Sequence, residues 1–256
     1  MSYLKNALTV TLLSLTIAGL QYFRLTQQKQ GIRTVAPTAE QQTIDATKLK
    51  TINQLPTFGF ENLLADGLFL NFLQYFGDTQ QRRQFGYDLA PLYFEGLIER
   101  DPLFTDAYLY LSNTLSLRMG RPQLAIQLME KGLASMRPNL PPRSYYVWRF
   151  KAIDELLFLG DGKAAKQSYE KSAEWAQQSS DEEAPLVAEL SSKTAQFLAK
   201  NPVSRAAQIS AWAQVLVAAR DEETEKIATE RIEALGGTIV VNEEGQVSVN
   251  FNIYDE

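Results

Sequence analysis

The chain has 256 residues, a formal net charge of −5, 45% apolar and 21% charged residues, which is the composition of an ordinary globular protein and excludes wholesale disorder. The acidic balance argues against nucleic acid as a partner, because sequence-independent binding relies on Lys and Arg that neutralise phosphates. Cysteine and histidine are both absent, which excludes thiol nucleophiles, disulfides, imidazole bases and most zinc sites. We expect no metal, no cofactor and no small-molecule substrate.

The start of the chain predicts a membrane anchor over residues 1–25. Residues 7–23 carry no charge, and as a helix they span roughly 26 Å, slightly less than a hydrocarbon core of about 30 Å. A cleaved signal peptide and a buried core helix are the alternatives, and the lack of a clean Ala-x-Ala site favours a retained anchor. The residues that define it are Ala7, Leu12, Leu13, Ile17, Leu20, Tyr22 and Phe23.

Basic residues bear on the orientation of this single-pass anchor. Lys5 precedes the uncharged run, whereas Arg24, Lys29 and Arg33 follow it, so the positive-inside tendency favours a large domain on the cytoplasmic side. A short basic start before an apolar run is also typical of an exported signal-anchor. Both orientations therefore stay open.

Beyond the anchor the composition changes twice. Residues 26–54 are polar, Gln-rich and without sustained periodicity, which predicts a tether. Residues 58–76 are dense in Phe, Leu and Tyr on more than one face. We interpret them as the buried opening helix of a helical array, with a partner-binding face as the alternative. Glu61 and Asp66 make a second membrane span unfavourable.

Residues 79–100 predict the next helix, which ends at Asp101 because a residue that precedes proline avoids the helical region. Its polar start is basic. We therefore interpret Asp66 as a carboxylate that caps a helix or pairs with Arg82 or Arg83, rather than as a catalytic acid.

Residues 103–138 predict two antiparallel helices joined at a glycine. Tyr108 and Leu111 lie on one apolar stripe of the first helix. Gly120 permits a tight reversal, and Pro122 suits the first turn of the second helix. One such hairpin cannot bury its own apolar faces, so related units are expected on either side.

This stretch resembles a tetratricopeptide repeat. The positions that carry the resemblance are Tyr108, Leu111, Ser112, Gly120, Ala125, Ile126, Met129 and Pro138, with one extra residue in each half. A second match covers residues 143–178 at Gly160, Asp161, Ala165, Tyr169, Ser172 and Ala173, and a partial one starts at Gly77-Asp78 and continues through Tyr93-Phe94 to Asp101-Pro102. The resemblance implies an all-α solenoid of helical hairpins over residues 55–178, which serves as a scaffold for protein partners.

In tetratricopeptide stacks the first helix of each pair lines a concave groove. By resemblance the groove residues are Leu109, Tyr110, Asn113, Arg149, Phe150 and Ile153. Some members of the family hold a peptide carboxylate at the place of Asn113, but the accompanying Lys and Arg pattern is missing here, which argues against a clamp for acidic peptide termini. Aromatic and basic residues also alternate around Trp148, as in single-stranded nucleic-acid sites, yet the helical spacing and the acidic chain favour packing.

The remaining segments lack the repeat pattern. Residues 179–236 predict a divergent helical unit and cap that shields the end of the stack, with Ser180 and Glu183 at the spacing of a capping box and a further helix start at Asn201. Residues 237–256 change to a period of two, which predicts a β-hairpin. Its apolar face is expected to rest on the helices or, alternatively, on another protein.

Enzymatic chemistry without Cys or His is limited to carboxylate pairs, Ser/Lys pairs or metal bound by oxygen. The candidate acids Asp154 and Glu155 are adjacent on a helix and do not face one another, so we predict that the protein is not an enzyme. The sequence favours a membrane-anchored scaffold that binds a protein partner in the assembly of a membrane complex. The alternatives are a structural subunit of a larger membrane assembly and a carboxylate-dependent hydrolase.

Overall fold

The computed structural model describes residues 14–22, 38–202, 204–241 and 247–251. It divides into two compact units, residues 1–38 and residues 39–256. The first unit contains α1, a helix over residues 14–22 whose apolar side chains are exposed. No helix within the described residues is long and apolar enough to cross a membrane. The predicted anchor lies partly outside those residues, at Ala7, Leu12, Leu13 and Phe23.

The described part of the second unit is helical apart from one antiparallel pair of strands. Two of its helices, α6 and α8, continue without a break into π-helical turns, π1 and π2. In chain order the elements are α2 Ala39–Gln54, α3 Glu61–Gly77, α4 Thr79–Phe85, α5 Ala90–Arg100, α6 Thr105–Leu111, π1 Ser112–Arg118, α7 Pro122–Leu133, α8 Tyr145–Asp154, π2 Glu155–Leu159, α9 Gly162–Gln177, α10 Ala184–Leu198, α11 Arg205–Ala218, α12 Glu222–Ala234, β1 Thr238–Val241 and β2 Val247–Asn250.

Helix α2 lies where the sequence predicts a tether without structure. Its only fully buried side chain is Leu49, which packs into the same core as α5. Asn53 donates to the carbonyl of Leu92 at 2.9 Å, and the Arg100 guanidinium of α5 donates to the carbonyl of Ile52. Because α2 has too few apolar residues to show a helical stripe, docking rather than local pattern holds this helix, and the tether prediction is wrong over residues 39–54.

The helix predicted over residues 79–100 is two helices. Gly86 adopts a left-handed φ of +54° and ends α4, and a proline occupies the first turn of α5. Both are ordinary signals of a helix boundary. The turn allows α5, rather than α4, to pack along α3.

The expected partner of Asp66 is occupied elsewhere. The Arg82 guanidinium is buried, lies 3.6 Å from the ring centroid of Tyr75 and 4.8 Å from that of Tyr87, and donates to the carbonyl of Gly86. Asp66 is exposed and forms no ion pair with any described residue. A cation over two aromatic faces replaces the predicted ion pair with Arg82.

Two helical hairpins form the centre of the fold. Helices α6 and α7 make the first, with Tyr108, Leu111 and Leu115 fully buried, and α8 and α9 make the second. Gly120 at φ +61° and Gly160 at φ +69° turn the chain between the two helices of each pair. The pairs lie side by side, because α8 packs on both α6 and α7, and the prediction of helices packed in pairs is confirmed.

The two hairpins repeat one local geometry forty positions apart. In the first, the N–H of Arg121 donates to the carbonyl of Leu115 at 2.7 Å, and in the second the N–H of Asp161 donates to that of Glu155 at 2.9 Å. Each bond joins a carbonyl in a π turn to the N–H of the residue after the turning glycine, Gly120 or Gly160. The period of forty exceeds the 34 residues of a tetratricopeptide unit, since the first helix of each unit ends in a π turn and a long connection, residues 134–144, joins the two units.

Helix α10 packs along α9 and extends the row of helices, whereas α11 lies across the turns of both hairpins. A Cβ on Gly160 would come 2.4 Å from Oε1 of Gln208, and one on Gly120 would come 3.3 Å from the ring of Trp212. The close approach explains why both turns need glycine. Residues 205–218 therefore cover an edge of the array.

Two predicted helix starts differ from the structure. The carboxylate of Asp181, not the hydroxyl of Ser180, accepts from the N–H of Glu183 at 3.1 Å before α10. Helix α11 begins after Ser204, whose hydroxyl accepts from the N–H of Ala207 at 3.2 Å, rather than after Asn201. Several residues that favour caps occur in both segments, and tertiary packing selects among them.

The β-hairpin is confirmed at the end of the described chain. Thr238 pairs with Asn250 and Ile239 with Val249 in antiparallel register. Ile239 and Val249 pack against the buried residues of α11 and α12, so the expectation that its apolar face rests on the helices is also confirmed for this pair. The hairpin's predicted turn, residues 242–245, lies outside the described residues.

Candidate partner-binding site

A pocket of about 340 Å³ opens between the first helices of the two hairpins. Leu109 of α6 and Phe150 of α8 form its apolar floor, and Leu109 is 53% exposed. The pocket also includes the start of α10 through Glu183. Its lining residues are Thr105, Asp106, Leu109, Arg143, Tyr146, Phe150 and Glu183. An apolar floor with a polar rim suits one or two side chains of a protein segment.

Only two of the six predicted groove residues line this pocket, Leu109 and Phe150. Tyr110 turns inward, with its ring 5.4 Å from Phe69. Asn113 accepts from Nε of Arg118 at 3.2 Å. The resemblance placed both positions in the groove. Tyr110 lies in α6 itself, whereas Asn113 follows the start of the π turn at Ser112, which shifts the phase of every later side chain relative to a regular helix.

The other two predicted residues face the α9 and α10 side. Arg149 donates from Nη1 to the hydroxyl of Ser191 at 3.2 Å and lies 6.0 Å from the ring of Tyr169. Ile153 packs against the buried cluster of Ala165, Tyr169 and Leu198. A substitution at Arg149 or Ile153 would therefore disturb the packing of the array, so neither position tests binding cleanly.

The rim of the pocket is a hydrogen-bonded network that sequence reasoning missed. Nη2 of Arg143 lies 2.7 Å from Oε2 of Glu183, and the hydroxyl of Tyr146 donates to the same oxygen at 2.7 Å. Burial, together with this hydrogen bond, raises the pKa of Tyr146. The hydroxyl of Tyr145 donates to Asp181 at 2.7 Å. The sequence contained one signal for this network, which was opposite charge. Arg143 precedes α8, and an acidic turn at Asp181 precedes α10, nearly forty residues later.

A buried carboxylate lies where the two hairpins meet. Asp154 of α8 is fully buried and accepts from Ser112 at 2.8 Å and from Ser116 at 2.6 Å, both in π1. Burial raises the pKa of Asp154 to about 7, although the two serine hydroxyls act in the opposite sense. The site is closed to solvent and directed at the neighbouring hairpin, so it joins structural elements.

The next residue belongs to a second buried cluster. Glu155 and Lys151 form an ion pair, and the hydroxyl of Ser168 in α9 donates to Oε2 of Glu155 at 2.6 Å. Nζ of Lys151 also lies 3.3 Å from Oε1 of Glu130 in α7. The expectation that Asp154 and Glu155 face different ways is confirmed. Within the described part of the chain, no group of three or more acidic side chains converges to hold a metal ion.

A scan against protein-family models gave no match, and searches for similar curated proteins and similar solved structures gave none either. The architecture of paired helices with a C-terminal hairpin therefore stands on the packing of this chain alone. Assignment to the tetratricopeptide repeats stays a prediction.

Proposed function

We propose that this protein is a membrane-anchored helical-repeat scaffold that holds a segment of a partner protein in the pocket between α6 and α8 during assembly of a membrane complex. The observation that carries the proposal is the apolar pocket floor, formed by Leu109, which is 53% exposed, and by the half-buried Phe150, on the first helices of two adjacent hairpins. Partly exposed apolar surface inside a recess with a hydrogen-bonded polar rim is an arrangement typical of a protein-interaction site.

The anchor in this proposal is the uncharged run of residues 7–23. Where the chain is described, over residues 14–22, it is helical. Leu15, Leu20 and Tyr22 are 61–72% exposed there, as expected for a helix that needs an apolar environment. Of the two orientations, we propose the one with the large domain on the cytoplasmic side, since Arg24 and two further basic residues follow the run.

The experiment is recovery of the full-length protein with its partners from native membranes by mild detergent extraction. Leu109→Glu places a charge on the pocket floor, and Leu140→Glu is the matched control because Leu140 is 51% exposed in a loop outside the pocket. We expect a partner to co-purify with the wild type and with L140E and to be lost from L109E, because a buried unpaired carboxylate opposes docking.

Two results would contradict the proposal. One is a wild-type protein that is recovered from native expression as a monomer without retained protein. The other is equal retention of the partner by L109E and L140E, which would place binding elsewhere. Circular dichroism of both variants shows whether either change unfolds the chain, and exposure of both positions makes unfolding unexpected.

A second candidate function is a structural subunit of a larger membrane assembly. Leu186, Leu190 and Phe197 of α10 are 42–61% exposed and recur along one side of the helix, at the open end of the row of helices. The hydrolase alternative receives least support, because Asp154 and Glu155 are buried and bound to serine and lysine side chains. A soluble fragment from residue 39 that stays monodisperse would count against the subunit function.

A further inference from the structure

The turn between α2 and α3 presents large apolar side chains to solvent. We refer to residues 55–63 as the aromatic turn. Phe58 is 85% exposed, Phe60 62% and Leu63 66%. Phe58 has a φ of +51°, a left-handed conformation that is an outlier for a bulky residue. Strained residues of this kind cluster at functional sites, and at this position the strained residue is also an exposed aromatic one.

The backbone of the aromatic turn satisfies several of its own polar groups. The N–H of Phe60 donates to the carbonyl of Thr57 at 2.9 Å, and the N–H of Leu64 donates to that of Phe60 at 3.1 Å. Leu55 donates to Ile52 at 3.2 Å, and Pro56 has no N–H to satisfy. Internal pairing is what a segment needs before it enters an apolar phase, and it leaves few donors for strand pairing with another protein.

Charged side chains follow the exposed aromatic ring of Phe58 in the sequence. Glu61, in the first turn of α3, accepts from the Thr57 hydroxyl, and this hydrogen bond lowers its pKa and keeps it ionised. Asp66 lies five residues further along α3 and is exposed. Exposed apolar side chains on a turn can reach the interfacial layer of a bilayer, but they are too short to span the membrane.

We propose that the aromatic turn inserts Phe58, Phe60 and Leu63 into the surface layer of the lipid bilayer that holds the N-terminal run. The inference rests on the proposed membrane anchoring. Residues 24–38 separate the uncharged run from α2 in the sequence. Fifteen residues span at most about 50 Å and the sixteen residues of α2 add about 24 Å, so anchoring limits the distance between the turn and the bilayer to about 75 Å. Protruding rings need no complementary cavity in a fluid phase, unlike a protein-binding face.

The absence of cysteine makes a direct test possible. Phe58→Cys gives one attachment site for an environment-sensitive fluorophore, and Leu186→Cys, at a position that is 61% exposed on α10, is the matched control. The full chain is reconstituted in phosphatidylcholine vesicles with and without bromine on the acyl chains. We expect the probe at position 58 to lose most of its emission in brominated vesicles, while the probe at position 186 keeps its emission.

The outcomes separate the inference from the anchoring on which it rests. If neither labelled protein sediments with vesicles, the anchoring fails and the inference fails with it. If both sediment but bromine quenches position 58 no more than position 186, the inference alone is overturned. A blue-shifted but unquenched probe at position 58 also overturns it, because the apolar surroundings of the probe would then be protein rather than lipid.

Discussion

The two halves of the helical array are held by different kinds of interaction. Around α3 and α5 the core is aromatic, and Phe72 is fully buried with its ring 4.6 Å from Phe94 and 5.7 Å from Phe76. The charges buried in this half are the Arg82 and Arg100 guanidiniums, which contact rings or backbone carbonyls rather than carboxylates. Around α8 the core holds carboxylates together with a cation, with Lys151, Glu155 and Asp154 all buried. Apolar packing loses stability in proportion to the volume removed, whereas a buried charge depends on each partner.

Removal of one charge from the core around α8 should have the largest effect on the free energy of unfolding. Lys151→Met leaves Glu155 buried without its cation, and we expect a loss of about 3–5 kcal/mol in the free energy of unfolding. The double variant Lys151→Met/Glu155→Leu should return to within about 1 kcal/mol of the wild type. Urea unfolding measures both. A double variant as unstable as the single one would show that the pair itself is stabilising.

A surface pair provides the control for this comparison. Lys166 and Glu170 lie 2.7 Å apart on α9 with side chains 34% and 52% exposed. Lys166→Met should change the free energy of unfolding by less than about 0.5 kcal/mol, because solvent screens the pair. Similar losses for Lys166→Met and Lys151→Met would contradict the view that burial makes the difference.

Asp154 should make stability depend on pH. Its pKa is about 7 in the folded chain against an ordinary 3.8, so the folded state binds the proton more tightly. Stability should then fall as pH rises from about 4 to about 7, by up to about 4 kcal/mol, and level off above. Asp154→Asn retains an acceptor for a serine hydroxyl and has no such charge, so its profile of urea midpoint against pH should lack this fall. Parallel profiles of variant and wild type would refute the assignment.

Of the two halves, the aromatic one should lose less stability from a single core substitution. Phe72→Leu keeps an apolar side chain among aromatic rings, and we expect a loss of about 1–3 kcal/mol in the free energy of unfolding from the smaller volume. Thermal unfolding with a ring-retaining control, Phe72→Tyr, sharpens the comparison, since an unpaired hydroxyl in this core should cost more than the lost volume. If Phe72→Tyr is the better tolerated, the core contains room or a partner for the hydroxyl.

Local signals in the sequence were sufficient for the central hairpin and the β-hairpin. Gly120, Pro122 and the apolar stripe of Tyr108 each have a short-range meaning, and all three lie as predicted. Gly86, with the proline at the start of α5, carried a similar signal that was overlooked in favour of an unbroken helical pattern. The groove residues were predicted less well. One reason is that the π turn at Ser112, which precedes Asn113, has no signature in residue type.

The buried charges and helix α2 could not be predicted from the sequence, for a different reason. Glu155 and Ser168 meet only once two helices pack, and a carboxylate in an amphipathic stretch resembles a solvated one until its surroundings are known. Leu49 gives α2 one buried contact and no stripe. The pocket rim depends in the same way on Arg143 and Glu183, which become neighbours through the fold of α8 to α10.

Helix α11 sets a limit on the number of hairpins. Its contacts to the two glycine turns, through Gln208 at one and Trp212 and Val215 at the other, are separated by four to seven residues, or about 6–10 Å along the axis. This is the usual spacing of adjacent helical layers, about 8–10 Å. The length of α11 between these contacts therefore matches an array of two hairpins. Lengthening the array by duplicating a forty-residue unit would leave one turn bare unless α11 grew by roughly two turns as well.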